Sequence, residues 1–229
     1  MNTVDYWACS DQGTTRDENQ DAIVIGSLHS TAVRHLSVSG SYSVPPAGAV
    51  IAVIDGMGGH ANGAEAAQVV AAEIAITDEN TGGIRGSLER SNASIYKVFP
   101  SIPAPGAACS GIFVTATATW LFSIGDTRAY HCVGDAMTLI TTDQTDSQGL
   151  LTDSIGGRDR PTSINPEIRQ VDIRTGDRVL LCSDGISSTL RFDQLNALLA
   201  SGAGADQFVE EALSAGSSDN ATVVLAAFR

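Results

Sequence analysis

Five aspartates of this sequence stand at the ends of predicted β-strands, far apart along the chain. They are Asp21, Asp55, Asp126, Asp184 and Asp219. An ionised carboxylate at the end of a buried strand is costly unless a cation or hydrogen-bond donors meet it. The ends of strands in one sheet can gather such groups, and clustered carboxylates repel one another unless cations are present. Spacing and charge therefore predict a metal site.

The stretch VIAVIDGMGGH (50–60) places one of these aspartates between a strand and a helix. Its β-branched and small apolar residues predict a buried strand that ends at Asp55. Apolar residues at helical spacing then predict a helix over 61–76, with Asn62 as its N-cap. Asp-Gly is also an ordinary turn dipeptide, so this stretch alone leaves open a turn without function. The recurrence of the pattern at the other strand ends favours a site.

Arg16 precedes Asp21 by five residues and is the cation nearest to it in the sequence. A planar guanidinium held near the carboxylates would match two oxygens of a phosphate group. The alternative is a surface arginine that pairs with Asp17 or Glu18. The sequence leaves both open.

The composition bounds the classes of function. The 229 residues carry a net charge of −13 and only one lysine, Lys97, which argues against nucleic acid or an anionic membrane as partner. Acidity is compatible with a divalent-cation enzyme and equally with solubility alone. An apolar fraction of 43% is too high for a disordered chain. We find neither an apolar run of about 18 residues nor a secretory leader, and so expect no spanning helix and no signal peptide.

The four cysteines are far apart and lie in apolar, strand-like contexts. They are Cys9, Cys109, Cys132 and Cys182. Zinc ligands would be more closely paired, so we expect buried free thiols in a reducing compartment. The protein is therefore expected to be cytoplasmic.

The order of predicted elements favours one layered α+β domain over 1–229. Strands are predicted at 3–8, 22–25, 31–38, 50–54, 111–118, 119–124, 129–133, 137–141, 168–173, 178–182 and 221–228, and helices at 61–76, 84–98, 191–200 and 205–215. Segment 39–48 is predicted as a loop, and short polar turns predict hairpins at 134–135 and 175–177. Strands in blocks with helices between them differ from an alternating βαβ array.

Five motifs in this order resemble the metal-dependent serine/threonine protein phosphatases of type 2C, in their bacterial form. They are SDQGTTRDENQDA (10–22), VIDGMGGH (53–60), IGDTRAY (124–130), LLCSDGISSTL (180–190) and SDNATVVL (218–225). They extend from one end of the chain to the other. The resemblance implies a four-layer αββα sandwich, in which two antiparallel sheets are flanked by helices and the metals bind in a cleft at one edge.

The resemblance also implies a ligand set for two cations. Asp55 would bridge both, Asp184 and Asp219 would be further ligands of one, and the carbonyl of Gly56 would be a ligand of the other. Oxygen ligands suit manganese or magnesium, which agrees with the argument from the aspartates alone.

The remaining site residues implied by the resemblance surround that pair. Asp21 would act near the metals through water, and Asp126 with Asp184 would hold a third, weaker cation. Arg16 would bind the phosphate group of the substrate.

The sequence departs from the family pattern at three places. Met57 stands where many eukaryotic members have a histidine that serves as general acid, and His60 is expected to be a turn residue. Gly106-Ala107-Ala108 replaces Gly-Thr-Thr, with an expected effect on packing only. Residues 143–155 are too few for the flap of short helices that most bacterial members place over the cleft.

The implied function is hydrolysis of phosphoserine and phosphothreonine in proteins by a metal-activated water, opposing a cognate serine/threonine kinase, by a monomer. The alternative is a non-catalytic domain of the same fold that senses metal or a phosphoprotein. A calcium module would need a ligand loop of about twelve residues, which is absent. Cysteine phosphatase chemistry is not expected, because no cysteine precedes a glycine-rich loop ending in arginine.

Overall fold

Two antiparallel sheets form the centre of the protein in the computed structural model, which describes residues 3–30, 33–57, 62–79 and 82–229. The strands are β1 (Thr3–Asp11), β2 (Asp21–Ile25), β3 (Leu28–His29), β4 (His35–Ser43), β5 (Ala49–Met57), β6 (Gly106–Val114), β7 (Thr119–Ile124), β8 (Arg128–Val133), β9 (Ala136–Leu139), β10 (Ile155–Gly156), β11 (Glu167–Val171), β12 (Arg178–Cys182) and β13 (Ala221–Phe228). The first sheet has the order β4-β1-β13-β12-β8-β9. The second has the order β11-β7-β6-β5-β2-β3, with β10 paired to β6.

Helices cover the outer face of each sheet. They are α1 (Gly63–Ala75), α2 (Gly83–Val98), α3 (Asp184–Ser187), α4 (Phe192–Ala200) and α5 (Ala205–Ser214). The buried residues of α1 and α2 share a hydrophobic cluster with the second sheet, and those of α4 and α5 share one with the first. The predicted αββα sandwich is confirmed.

The sequence of the central strand β5 is a continuous apolar run up to Asp55 because both faces of this strand are buried. Its residues alternate between two clusters, with Val50, Ala52 and Ile54 packed toward the helices. Ile51 and Val53 face the other sheet. A strand that is buried on both faces cannot alternate apolar with polar residues, so its apolar pattern is unbroken.

The core between the sheets draws on both ends of the chain. Val4 and Phe228 belong to it and lie opposite each other where β1 pairs with β13. This pairing brings the segment after β1 beside the segment before β13, which is where Arg16 and Asp219 lie.

The predicted hairpin across 175–177 is wrong. Strand β11 pairs with β7 in the second sheet, whereas β12 lies between β13 and β8 in the first. The two strands differ in burial, since β11 is a partly exposed edge strand and four residues of β12 are buried. The turn between them therefore carries the chain from one sheet to the other.

The predicted loop over 39–48 is wrong in its first half. Strand β4 continues to Ser43 and pairs with β1 without a bulge, although its serines and glycine lack the apolar pattern of a strand. Gly40 lies under the ring of Tyr6, where an added Cβ would approach the tyrosine hydroxyl to 2.9 Å. The pairing with β1 overrides the weak local preference.

Asn62 takes the N-cap position of α1 without acting as a side-chain cap. Its φ of 71° is left-handed, and its side chain makes no capping hydrogen bond. Asparagine tolerates this backbone conformation better than most residues do, which accounts for its place at the turn.

All four cysteines are buried and free, as predicted. Burial raises the pKa of the Cys9 thiol to about 12, so it stays protonated at neutral pH. None of the described helices has the length and apolar character needed to cross a membrane.

Candidate active site

Four of the five strand-end aspartates line one small cavity, of about 170 Å³. The lining residues are Arg16, Gln20, Asp55, Met57, Ala108, Asp126, Leu151, Asp184 and Asp219. Strand ends of both sheets contribute to it: Asp55 lies on β5 in the second sheet, and Asp184 follows β12 in the first. The structure thus brings together residues separated by up to about two hundred positions in the sequence.

Asp21 and Gly56 lie beside the cavity and do not line it. Asp21 is directly opposite Asp55 in the pairing of β2 with β5, and only 4% of it is exposed. Its Oδ2 accepts a hydrogen bond of 2.8 Å from the Ser183 hydroxyl, whereas its Oδ1 has no hydrogen-bond partner. A Cβ on Gly56 would lie 2.1 Å from the Gly63 carbonyl oxygen, so this position requires glycine.

Asp184 and Asp219 reach the cavity from neighbouring strands of the first sheet. Asp184 is the first residue of α3, and its buried Oδ1 has no hydrogen-bond partner. The Asp219 carboxylate accepts a hydrogen bond of 2.8 Å from the backbone amide of Asn220. Ser183 ties the two segments together, because its amide donates to the Thr222 carbonyl at 3.1 Å.

Asp126 stands in the turn between β7 and β8. The turn begins at Gly125, whose φ of +94° favours glycine and whose added Cβ would lie 2.5 Å from the Cβ of Ala108. The Gly125 amide donates to the Gln144 side-chain oxygen at 3.0 Å. Ala108 itself lines the cavity, so the departure at 106–108 affects the wall of the site as well as its packing.

Burial and mutual repulsion raise the pKa of each carboxyl group in this cluster for which a shift is resolved. The pKa of Asp55 lies well above its ordinary value because of burial, followed by the charges of Asp21 and Asp184. Burial and then the charge of Asp219 raise the pKa of Asp184. Burial is also the main cause for Asp21, whose pKa is about 7, and for Asp126, whose pKa is about 6.

The donor set fits divalent cations of the magnesium and manganese type. All the donors are oxygens, and two buried carboxylate oxygens, Oδ1 of Asp21 and Oδ1 of Asp184, have no hydrogen-bond partner. The raised pKa values of Asp55 and Asp184 reflect burial and repulsion between carboxylates, and a bound cation would relieve that repulsion. Within the described residues, no three histidine, cysteine, aspartate or glutamate side chains lie in the arrangement of a complete metal site, so waters would supply the remaining ligands. Magnesium is commonly held by one or two carboxylates and several waters, which this arrangement allows.

Arg16 is the cation of the cavity. Its side chain is 49% exposed, and its Nη2 forms an ion pair with Oδ2 of Asp219. Hydrogen bonding to Asp219 is the main cause of its raised pKa. Arg16 therefore pairs with Asp219 and not, as in the alternative interpretation, with Asp17 or Glu18.

The segment over 143–154 forms a short hairpin-like loop without helix among the described residues. Thr145 and Leu151 form an isolated β-bridge, and the Asp146 side chain accepts hydrogen bonds from the amides of Gln148 and Leu150, at 2.8 and 3.0 Å. Leu151 lines the cavity. This geometry agrees with the prediction that residues 143–155 form no flap of short helices over the cleft. Met57 lines the cavity too, whereas His60 lies outside the described residues.

Sequence reasoning missed several residues of the site. Gln20, Ala108 and Leu151 line the cavity, and Ser183 holds Asp21. Gln20 and Ser183 directly precede Asp21 and Asp184, and this adjacency is the feature of the sequence that could have indicated them. No feature of the sequence indicated Leu151, because its position depends on the fold of the short loop.

The raised pKa values predict how stability depends on pH when a chelator is present. Because the folded pKa of Asp21 and Asp126 exceeds the ordinary value of 3.8, the folded state binds more protons than the unfolded state between about pH 4 and 7. The free energy of unfolding is therefore expected to fall as the pH rises through this range. Urea denaturation at pH 5 and 7.5 measures it, and Asp126→Asn should reduce the slope. Stability that rises with pH would contradict the assignment.

No protein-family model matches the chain. The serine/threonine protein phosphatase PstP of Mycobacterium tuberculosis is 28% identical over an alignment of 251 residues, which covers 96% of this chain and 44% of that protein. The chain thus spans less than half the length of this curated relative. The catalytic domain of PstP in complex with two manganese ions superimposes with a TM-score of 0.75, at 27% identity, covering 98% of each chain.

A third comparison bears on the fold alone. The serine/threonine phosphatase of S. agalactiae gives a TM-score of 0.78 at 20% identity, covering 99% of this chain and all of that one. The chain is thus similar to these serine/threonine protein phosphatases along nearly its whole sequence, and it shares their sandwich fold.

Proposed function

We propose that this chain is a manganese- or magnesium-dependent phosphatase that hydrolyses phosphoserine and phosphothreonine in proteins. The observation that carries the proposal is the cavity in which one guanidinium faces four carboxylates from both sheets. Carboxylates suit divalent cations, and a guanidinium suits a phosphate dianion.

Asp55 is the proposed bridge between two cations, and Asp184 and Asp219 are proposed ligands of one of them. The Gly56 carbonyl is the proposed ligand of the other. Two observations support this set: Asp55 lies among the carboxylates whose charges raise its pKa, and the pKa of Asp184 responds to the charge of Asp219. Asp21, held by Ser183, is proposed to orient water beside the cations.

A third, weaker cation is proposed at Asp126 and Asp184. Both carboxylates line the cavity, and after burial the charge of Asp184 is the next cause of the raised pKa of Asp126. The catalytic domain of PstP is in complex with two manganese ions, and the proposal of a third rests on the family resemblance and on the place of Asp126 and Asp184 in one cavity.

Arg16 is proposed to bind the phosphate oxygens during hydrolysis. Its ion pair with Asp219 already holds the guanidinium at the cavity, and about half of the side chain remains exposed to a ligand. Two parallel N–H donors would neutralise charge on two equatorial oxygens and fix the phosphorus for in-line attack.

Divalent cations held by Asp55, Asp184 and Asp219 would lower the pKa of bound water and would so supply hydroxide near neutral pH. A water oxygen forms the new bond to phosphorus, the bond from phosphorus to the serine or threonine oxygen breaks, and that oxygen takes a proton from water. The chain offers no side-chain acid at Met57, whose thioether lines the cavity and carries no proton to give.

The chain is proposed to act as one domain over 1–229 and as a monomer. Its partners are phosphoprotein substrates and a cognate serine/threonine kinase, with neither nucleic acid nor membrane involved. The four free thiols support a reducing, cytoplasmic location.

Release of inorganic phosphate from a phosphothreonine peptide tests the proposal directly. The protein is stripped with a chelator, and the activity is measured before and after manganese or magnesium is restored. Hydrolysis that requires the added cation is expected. Cation binding without turnover would instead indicate a sensor domain of the same fold, and activity in the metal-free protein would exclude the proposed mechanism.

The short loop over 143–154 predicts weak preference among substrate sequences. Without a helical flap, little of the peptide around the phosphoresidue is buried. We expect kcat/KM values within about tenfold across short phosphopeptides of unrelated sequence, a spread of roughly 1.4 kcal/mol in transition-state binding. A spread of several orders of magnitude would show that another part of the chain reads the sequence.

A further inference from the structure

The loop that carries Arg16 is long and mostly exposed. We define the Arg16 loop as residues 12–20, which connect β1 to β2. Residues 14–18 are all exposed, and the loop contains no helix or strand. A side chain on such a segment would lose much orientational freedom on binding a phosphate group, unless the loop is already fixed.

One buried side chain fastens this loop on both sides of Arg16. Asn220, which is 4% exposed, donates from Nδ2 to the Gln12 carbonyl at 2.8 Å and to the Glu18 carbonyl at 3.0 Å. Its Oδ1 accepts from the Gln20 amide at 2.9 Å. All three contacts are to backbone atoms, so they fix the path of the chain. They also use both amide protons and the oxygen of the asparagine.

Close packing supports the same junction. Gly13 has a left-handed φ of +74°, and an added Cβ there would lie 2.8 Å from the Asp219 carbonyl oxygen. The loop also braces itself, because Nε2 of Gln12 donates to the Arg16 carbonyl at 2.7 Å. Asn220 holds the backbone of Gln12, and the Gln12 side chain in turn holds the backbone of Arg16.

We propose that Asn220 is a positioning residue for Arg16, which it holds in the orientation that binds the phosphate group. This inference rests on the proposed function and adds to it a residue that would touch neither substrate nor metal. Asn220 is also the neighbour of Asp219, so the competing role is support of a metal ligand. The two roles separate because one acts through Arg16 and the other through the affinity for the cation.

A double-mutant cycle distinguishes these roles. Asn220→Ala alone is expected to lower kcat/KM for a phosphothreonine peptide by about 10- to 100-fold, mainly through KM. In an Arg16→Ala background the same substitution should cost less than about threefold, because the residue it positions is gone. Manganese affinity, measured by calorimetry, should stay within about threefold of that of the unmodified protein.

Two further variants guard against simple loss of the fold. Asn220→Asp keeps the shape and the acceptor for Gln20 but replaces both amide donors, and it should weaken substrate binding in the same way. Asn92→Ala is the matched control. It also removes an asparagine that joins backbone segments, donating to the Thr162 carbonyl at 2.9 Å and accepting from the Gly156 amide at 2.9 Å. It should leave the KM unchanged.

Hydrogen exchange gives a readout that needs no turnover. The amides of residues 13–18 are expected to exchange faster in Asn220→Ala than in Asn92→Ala, with or without manganese. If the wild type hydrolyses no phosphopeptide, the proposed function fails while this measurement still tests the fastening of the loop. Additive effects in the cycle, a parallel loss of manganese affinity or unchanged exchange would each overturn the role of Asn220.

Discussion

Asp55→Asn is expected to lower phosphopeptide hydrolysis by at least about 1,000-fold, which corresponds to roughly 4 kcal/mol of transition-state stabilisation. The amide that replaces the carboxylate carries no charge and cannot bridge two cations, so the attacking water is no longer activated. Phosphate release at saturating manganese measures the loss, and calorimetry measures the loss of cation affinity.

The same variant should be more stable than the wild type when a chelator is present. Burial and the charges of Asp21 and Asp184 raise the pKa of Asp55, so its ionised form destabilises the metal-free fold at neutral pH. Removal of the charge removes that cost, and the melting temperature at pH 7.5 should rise. Asp172→Asn is the control, because this exposed carboxylate pairs with Arg174 on the surface. Unchanged activity in Asp55→Asn would refute the metal mechanism.

Arg16→Ala is expected to lower kcat/KM for phosphopeptides by about 100-fold while leaving manganese affinity nearly unchanged. The guanidinium contributes two directed donors to the phosphate group, and its loss leaves that charge to the cations alone. Steady-state kinetics on one phosphothreonine peptide should show the effect in KM, with calorimetry for the metal.

Lysine at this position tests whether the fork geometry matters. Arg16→Lys keeps the charge but loses the planar pair of donors, and should recover only part of the affinity for the substrate. Arg174→Ala, which removes an exposed surface arginine, is the control for the loss of positive charge. If manganese binding weakened as much as turnover, Arg16 would be structural and its proposed role wrong.

Three mostly buried strands were predicted with their observed bounds. The bounds of β7, β12 and β13 agree with the predicted strands 119–124, 178–182 and 221–228, because each is a mostly apolar run. Burial alone was not sufficient, since the fully buried β6 (Gly106–Val114) was predicted at 111–118. Strand β4 was missed over 39–43, since an exposed edge strand needs no apolar pattern and is specified by its partner. The mistaken hairpin between β11 and β12 has a related cause, because a turn signal does not say which sheet the next strand joins.

The site was predictable to the extent that chemistry marks single residues. Charged groups at strand ends stand out, and Arg16, Asp55, Asp126, Asp184 and Asp219 do line one cavity. The residues that hold them do not stand out. Asn220 and Ser183 act through hydrogen bonds to segments about 160 to 210 positions away, and only the folded chain shows those partners.

The placement of the cavity across both sheets has a mechanical consequence. A cation held by Asp55 of the second sheet and Asp184 of the first would cross-link the two sheets at the edge that carries the cavity. The inter-sheet core, where Val53 packs with Val224 and Leu181, would then set the width of the gap that the cation must span. The cation affinity should therefore depend on packing in this core. A substitution that removes one methyl group there is expected to lower the manganese affinity, although it changes no ligand.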